Sequence, residues 1–265
     1  MADREGIGQM AEVELIGPED GVSWLRINRP EVRNALNMNV RALLAQHFSA
    51  LSADAETRCI VVTGGDKVFA AGADIRELGG ASTVDVYLRN TQRLWQAIAQ
   101  CPKPVIAAVN GFALGAGCEL AMHADIIVAG ENASFAQPEV KVGIMPGAGG
   151  TQRLLRAVGK FHAMKMAMTG QAVSGKEAVS IGLASESVPD TQVQQRASEL
   201  AMTIASMPPI AIAQIKEVIL AGQDMSLESA LALERKAFQI LFSSEDQKEG
   251  MRAFLEKRKP VYKGR

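Results

Sequence analysis

Asn110-Gly111-Phe112-Ala113-Leu114-Gly115-Ala116-Gly117-Cys118-Glu119-Leu120-Ala121-Met122 is the stretch on which the reading of this chain turns. A short β-branched run, residues 105–109, leads into it, and the glycines at 111, 115 and 117 give way to an apolar, helix-prone segment. The pattern is a strand, a small-residue loop and a helix, with a carboxylate, Glu119, set among apolar neighbours. Burying an ionised acid there is unfavourable unless hydrogen bonds, water or a shifted pKa compensate. A second acid, Glu139, follows Gln137-Pro138 and precedes Gly143-Ile144-Met145-Pro146-Gly147-Ala148-Gly149-Gly150-Thr151. Two acids delivered into one pocket can handle water and protons.

The alternation continues on both sides of this stretch. Residues 22–27, 59–63, 105–109 and 125–129 are short, β-branched and bounded by Gly, Pro, Asn or Asp, which predicts strands. Between them, 38–53 and 83–99 have helical length and spacing, so the expected architecture is an α/β core with crossover connections. Beyond about residue 190 the segments 192–206, 210–221, 227–242 and 245–257 all read as helices. In the third of these, Ser226 is a predicted N-cap and Leu227, Leu231, Phe238 and Leu241 share one side. Ser244 and Gln247 form a capping-box pattern at the start of the next. Helices this apolar either pack on the parent core or dock across a subunit interface.

With 265 residues, 48% hydrophobic and 22% charged, the chain can bury a sizeable core. A net charge of -1 supplies no overall pull toward nucleic acid or anionic membrane. Cys59, Cys101 and Cys118 are odd in number and form no CxxC, which suits a reducing cytoplasm. The charged residues 1–6 lead to no apolar h-region, so no secretory signal is expected, and no run reaches the roughly 18 to 20 apolar residues of a membrane helix. Tyr262-Lys263-Gly264-Arg265 matches neither a peroxisomal address nor a prenylation box.

Several familiar sites are missing from the sequence. Counted from Gly115, the third glycine of a dinucleotide fingerprint falls on Leu120. The segment Gly170-Gln171-Ala172-Val173-Ser174-Gly175-Lys176-Glu177 nearly spells a phosphate-binding loop, but Glu177 stands where a hydroxyl must reach magnesium. Those residues read better as a loop feeding a helix capped by Ser174 and Glu177. His47, His123 and His162 lack a second ligand at metal-binding spacing and read as surface or satisfied core histidines, so no metal is expected. There is no GxSxG elbow. Carboxylates and backbone groups remain. Phe69-Ala70-Ala71-Gly72-Ala73-Asp74-Ile75-Arg76 and Gly115-Ala116-Gly117-Cys118-Glu119 each follow a predicted strand and carry minimal side chains. Such loops either let a substrate oxygen approach main-chain N–H groups or simply permit close packing.

Taken in order, Asn28-Arg29-Pro30 with Asn34-Ala35-Leu36, then the 69–75 loop, Asn110 to Leu120, Gln137-Pro138-Glu139 and Pro146-Gly147-Ala148-Gly149-Gly150-Thr151-Gln152-Arg153 resemble the enoyl-CoA hydratase (crotonase) family. The likeness runs from about residue 12 to Lys263-Gly264-Arg265, and within the family it is greatest to bacterial hydratases of phenylacetate catabolism. The resemblance implies an α/β spiral of repeated ββα units over residues 1–205. It also implies a C-terminal helical segment, 206–265, that makes trimer contacts, with a homotrimer or a hexamer as the assembly.

Carried over residue by residue, the resemblance gives Ala73 and Ala116 as the oxyanion-hole N–H donors and Glu119 and Glu139 as the paired acid and base. It favours Glu119 on the water and Glu139 on the α-carbon proton, with a 3S product. Many relatives have glycine at the position of Ala116. Coenzyme A, as part of an acyl-CoA substrate, is expected to pass Ala35, Leu36, Ala71, Gly72, Asp74, Ile75 and Gly147. Arg33 and Arg76 are candidates for its phosphates, and Phe238 and Lys257 for its contact with an adjacent subunit. Read from the sequence alone, Phe238 is core. The implied reaction is hydration of a 2-enoyl-CoA in fatty acid or phenylacetate degradation, without metal or redox cofactor. An enoyl-CoA isomerase or another acyl-CoA enzyme of the family is the alternative, and a scaffold protein would have no reason to keep both acids. Met145, Met164, Met166 and Met168 either border a pocket or fill the core.

Overall fold

Every residue of Cys59–Thr63 and of Val105–Val109 is buried, as expected for central strands covered on both faces. The computed structural model describes residues 11–265, so the charged opening residues 1–6 lie outside the described residues. The strands are β1 (Val13–Glu19), β2 (Val22–Ile27), β3 (Cys59–Thr63), β4 (Val105–Val109), β5 (Phe112–Leu114), β6 (Ile126–Gly130), β7 (Ser134–Ala136), β8 (Val173–Ser174) and β9 (Glu186–Val188). They form a six-stranded sheet in the order β1-β2-β3-β4-β6-β9 and a three-stranded sheet in the order β5-β7-β8. The large sheet is parallel except for the edge pair β1 and β2.

One face of the large sheet, with Val22, Cys59, Val61, Ile106, Ala108 and Val128, is covered by the helix Val193–Ala205. That helix presents Val193, Ala197, Ala201 and Ala205, a spacing of four that lays one small-residue stripe on the strands. The opposite face, with Leu25, Ile27, Ile60 and Val62, joins the main core together with Leu44 and Phe48 of the helix Met38–Ala53.

Successive units repeat one plan: a strand of the large sheet, a short extended piece in a second layer, then a helix. After β2 the second-layer residue is Leu36, followed by Met38–Ala53; after β3 come Ala70 and Ala73, followed by Ile75–Leu78. β4 leads to β5 and the helix Ala116–Ala121, and β6 leads to β7 and, after a loop, the helical segment Gly150–Thr169, which is broken at Gly159 (φ 74, ψ 170). The second layer is stitched by parallel bridges Leu36 to Ala73 and Ala70 to Ala113 and by the β5–β7 ladder. This is the spiral of ββα units, closed by the helices Pro209–Gly222, Leu227–Leu241 and Glu245–Leu255.

Several expectations are corrected. The helix expected over 83–99 is two, Thr83–Arg89 and Gln92–Ala99, because Asn90 takes a left-handed conformation (φ 43) at the break. The strand expected over 125–129 begins one residue later, since the Asp125 carboxylate turns to the Val105 N–H at 2.8 Å and Lys216 Nζ at 2.7 Å. Neither sequence-predicted capping box closes in both directions. Ser174 and Ser244 accept from the N–H of Glu177 and Gln247, but the Gln247 amide reaches Met251 Sδ instead. Ser226 caps its helix as expected, through the Ser229 N–H at 3.3 Å. Leu227, Leu231 and Phe238 share an exposed side.

The close approach of the two layers depends on Gly117, where an added Cβ would run into the carbonyl oxygen of Ala70. Because that obstacle is backbone, no rotamer change relieves it, and the strain outweighs the gain in helix propensity of about 1 kcal/mol. Gly117→Ala is expected to destabilise the fold by about 1–3 kcal/mol, read as a lower Tm in thermal unfolding; an unchanged Tm would show that the layers can separate at no cost.

Candidate active site

Glu119 stands in the first turn of the helix Ala116–Ala121 and is 2% exposed. Its Oε1 accepts the N–H groups of Ala148 and Gly150, each at 2.7 Å. A Cβ at position 150 would lie 2.8 Å from that oxygen, so glycine is what lets the Pro146 to Gly150 loop wrap the carboxylate. Burial is the main influence on Glu119 and raises its pKa; the two N–H groups and then the Arg41 and Arg153 guanidiniums oppose the rise. Oε2 has no hydrogen-bond donor among the described residues, and Glu119 lines the cavity described below.

Glu139 begins a 3-10 turn, Glu139–Val142, directly after β7 and Pro138. The chain turn at Gly115 (φ 50, ψ -120) makes room for it, since a Cβ there would sit 2.7 Å from Glu139 Oε1. With its NH2 turned toward Glu139, the buried Gln137 amide donates to both carboxylate oxygens at 3.3 and 3.2 Å. Glu139 is half-buried, and its pKa is pushed up to about 7. Burial is the principal cause, its own N–H pulls the other way, and the Glu119 charge adds to the rise. The intervening Cys118 is pushed up to about 12 by burial, so it remains a thiol at neutral pH.

The Ala73 and Ala116 N–H groups have no protein acceptor among the described residues. Ala73 sits in a parallel bridge in which Leu36 N–H bonds Gly72 O at 2.8 Å and Asp74 N–H bonds Leu36 O at 3.4 Å, leaving its own N–H outside the ladder. Ala116 is the first residue of its helix, where N–H groups lack intrahelical partners. Ala73, Ala116, Glu119 and Glu139 line one cavity of ≈ 510 Å³. The arrangement combines two main-chain donors, an acid held ionisable by N–H groups and a second acid that titrates near neutrality.

Of the other sequence-predicted residues, Asp74 and Gly147 line this cavity. Asp74 also caps Ile75–Leu78 and lies 3.7 Å from Arg29. Leu36 is fully buried and Ala35 gives its carbonyl to Arg29, so their contribution to the site is through the main chain. Ala71 N–H bonds the Arg33 carbonyl, and Gly72 (φ 112) turns the chain into Ala73. Arg33, Ile75 and Arg76 are exposed and lie outside the cavity wall. Phe238 is 60% exposed, with its ring edge-on to Phe242 at 5.1 Å, so the reading of it as core is wrong for the single chain. Lys257 follows Glu245–Leu255 in a left-handed conformation (φ 53) and is exposed. Among the four methionines, Met145 lines the cavity, Met166 is core, and Met164 and Met168 are exposed.

The sequence reading missed Arg41, Glu77, Arg89 and Trp95, which also line the cavity. A signal existed for Arg41, because it stands four and seven residues before buried Ala45 and Phe48 on one helix. Val86 and Arg89 come from Thr83–Arg89, a helix with no buried residue of its own. His123 is a satisfied core histidine: Nδ1 meets Glu119 O at 2.8 Å and burial pushes its pKa down to about 4.

The raised pKa of Glu139 has a stability consequence. A carboxyl that titrates at about 7 when folded, against 4.5 ordinarily, binds its proton more tightly in the native state. Its contribution is therefore full below pH 4.5, is lost as pH rises toward about 7, and is constant above that. Urea unfolding across this window is expected to show a shallower loss of stability with rising pH in Glu139→Gln than in the unaltered protein; identical slopes would mean the group titrates normally.

The family model described as enoyl-CoA hydratase/isomerase matches residues 17–265. The chain is 42% identical over 251 residues to the 2,3-dehydroadipyl-CoA hydratase of Escherichia coli K12, covering 95% of this chain and 98% of that protein. It is 46% identical over 250 residues to the mitochondrial enoyl-CoA hydratase of Pongo abelii, covering 94% and 86% of the two. The crystal structure of the Bacillus anthracis enoyl-CoA hydratase superposes with a TM-score of 0.92 at 36% identity, covering 96% of this chain and 100% of the other. The strand-loop-helix units, the paired acids and the likeness over nearly the whole chain agree, and the chain belongs to the enoyl-CoA hydratase/isomerase family.

Proposed function

We propose that the protein adds water across the 2,3 double bond of a 2-enoyl-CoA to give a 3-hydroxyacyl-CoA. The observation that carries this reading is the meeting of Glu119, Glu139 and the Ala73 and Ala116 N–H groups on one cavity. The two N–H groups take the thioester oxygen and stabilise the negative charge that develops there as the β-carbon is attacked. Glu119, whose Oε1 is fixed by two main-chain donors, turns Oε2 to the water and accepts its proton as the oxygen bonds to the β-carbon. Glu139, with a pKa near 7, is protonated often enough at neutral pH to deliver a proton to the α-carbon. One proton leaves water and one reaches carbon, so transfer between the acids restores the site. No metal or redox group is needed for these steps. An isomerase would return its product with the double bond moved and no oxygen added, and the presence of both acids on the cavity favours hydration.

The finer substrate in this reading is 2,3-dehydroadipyl-CoA, the compound in the name of the Escherichia coli relative, and phenylacetate catabolism is the proposed setting. The proposed organisation is a spiral core over residues 1–205 and a helical segment over 206–265 that builds a homotrimer or hexamer. The exposed Leu227, Leu231 and Phe238 support it, since such a row is unfavourable in water. In that assembly Phe238 and Lys257 reach the coenzyme A of an adjacent subunit, while Arg33, Ile75 and Arg76 lie along its path. The free, buried cysteines 59, 101 and 118 suit a reducing cytoplasm.

Glu119→Gln and Glu139→Gln are each expected to lower the hydration rate about 10²- to 10⁴-fold with Tm roughly maintained. The double variant should fall far short of the product of the two effects. Near-normal turnover in either single variant would make that glutamate structural. A folded Ala116→Pro enzyme should lose about 10²- to 10³-fold in kcat, because its N–H is gone. Light scattering should give a multiple of the 28.2 kDa chain mass, and a single-chain mass across micromolar concentrations would remove the assembly from the proposal.

A further inference from the structure

Two guanidiniums, Arg41 and Arg89, line the same cavity as the paired acids. Elsewhere in the protein, partly buried or networked arginines such as Arg29, Arg196 and Arg258 engage carboxylates. Arg41 differs. It makes no ion pair or hydrogen bond among the described residues, and its Nε is shut away from solvent without an acceptor. A guanidinium presents five donors in a planar fork, so leaving it withdrawn and unpaired is unfavourable.

Its position is nevertheless fixed. The Arg41 guanidinium lies 5.9 Å from the centre of the Trp95 ring, and Trp95 stacks on His123 at 5.1 Å, which is itself bonded to the Glu119 carbonyl. The carboxylates whose charges reach Arg41 are Glu77 and Glu119, while Arg89 is the neighbouring cation. Both acids are already held by main-chain N–H groups: Glu77 by Met38, at 3.3 and 3.0 Å, and Glu119 by Ala148 and Gly150. Neither comes into ion-pair range of Arg41. Burial lowers the Arg41 pKa, which agrees with its withdrawal from water, yet a guanidinium stays charged at any physiological pH. The apolar part of the wall is Met38, Leu78, Val86 and Trp95, and Glu77 and Thr91 line the same cavity.

We infer that Arg41, with Arg89 as a second cation, is the specificity-determining residue for an acyl chain that ends in a carboxylate, so that the favoured substrates are ω-carboxy-2-enoyl-CoA thioesters. The inference rests on the hydratase reading for the orientation of the substrate. With the thioester oxygen at Ala73 and Ala116 and the β-carbon beside Glu119, the remaining carbons run along the apolar wall toward Arg41. A terminal carboxylate supplies two oxygens in the plane of the fork and satisfies the orphaned donors. A plain alkyl end offers none and dries the guanidinium further, so the same arginine selects for one class and against the other.

The test compares 2,3-dehydroadipyl-CoA with 2-hexenoyl-CoA, which has the same chain length and no terminal charge, in the unaltered protein, Arg41→Met and Arg41→Lys. The unaltered protein should favour the carboxylated substrate at least 10-fold in kcat/KM. Arg41→Met should reduce that ratio at least 10-fold, chiefly through KM, and Arg41→Lys should retain part of it. Calorimetric binding of the unreactive adipyl-CoA and hexanoyl-CoA should show the same preference and the same loss, independently of turnover. If both substrates fall together in Arg41→Met, Arg41 serves as a counter-charge to Glu119 and the inference is overturned; an unchanged ratio overturns it equally. Absence of hydration of either substrate by the unaltered protein would instead overturn the hydratase reading, and the binding preference would then decide the role of Arg41 alone. Should Arg41→Met fail to fold, Arg41→Lys and the binding measurement carry the decision.

Discussion

A carboxylate that is only 2% exposed sets the terms for the rest of this structure. Glu119 could be kept away from water by surrounding it with apolar side chains, but its charge would then be suppressed. Two N–H groups on a single oxygen solve this, one from Ala148 and one from Gly150, and the other oxygen has no hydrogen-bond donor among the described residues. The loop that brings them must come within hydrogen-bonding distance of a helix, and only small residues permit that approach. Gly115, Gly117 and Gly150 each stand where a methyl group would meet Glu139, the second layer or Glu119 itself. The glycine and alanine content of these segments thus follows from holding one buried acid.

The spiral assembles the remainder because each unit deposits its loop at the same edge of the second layer. Ala73, Ala116 and Glu139 belong to successive units after β3, β4 and β6, and they are far apart in sequence. The bridges Leu36 to Ala73 and Ala70 to Ala113 set the register of one loop against the next. A main-chain donor fixed in this way has little freedom to relax, which is what stabilisation of a developing charge requires. The same rigidity fixes Arg41 through the stack of Trp95 on His123, whose Nδ1 bonds the carbonyl of Glu119. Acid, ring stack and guanidinium are therefore one mechanical unit.

Central strands were legible in the sequence because β3 and β4 are buried on both faces and read as unbroken apolar runs. β1 was not, since it is an edge strand with one fully buried residue, Val13, and β8 is two residues long. The break at Asn90 was invisible because helical spacing passes through it, while the αL conformation that stops the helix is a backbone property. At the site, the small-residue surroundings drew attention to Glu119 and to two loops without deciding their use, the family resemblance picked out Ala73, Ala116, Glu119 and Glu139, and the structure brings these four to one cavity. Arg41 was passed over, because a cation on an amphipathic helix ordinarily faces water; its spacing from Ala45 and Phe48 hinted otherwise, and the packing of Trp95 against it settles the matter. Phe238 misled for the opposite reason: an apolar helical stripe reads as core whether its cover comes from the same chain or from elsewhere.

The helix Thr83–Arg89 supplies Val86 and Arg89 to the cavity wall while burying none of its own side chains. That part of the cavity wall is thus lightly attached, whereas the acids and main-chain donors are embedded in the two layers. Substitutions in that helix therefore alter the cavity wall without opening the hydrophobic core, whereas substitutions at the supporting glycines disturb the contacts that hold the layers and the acids together.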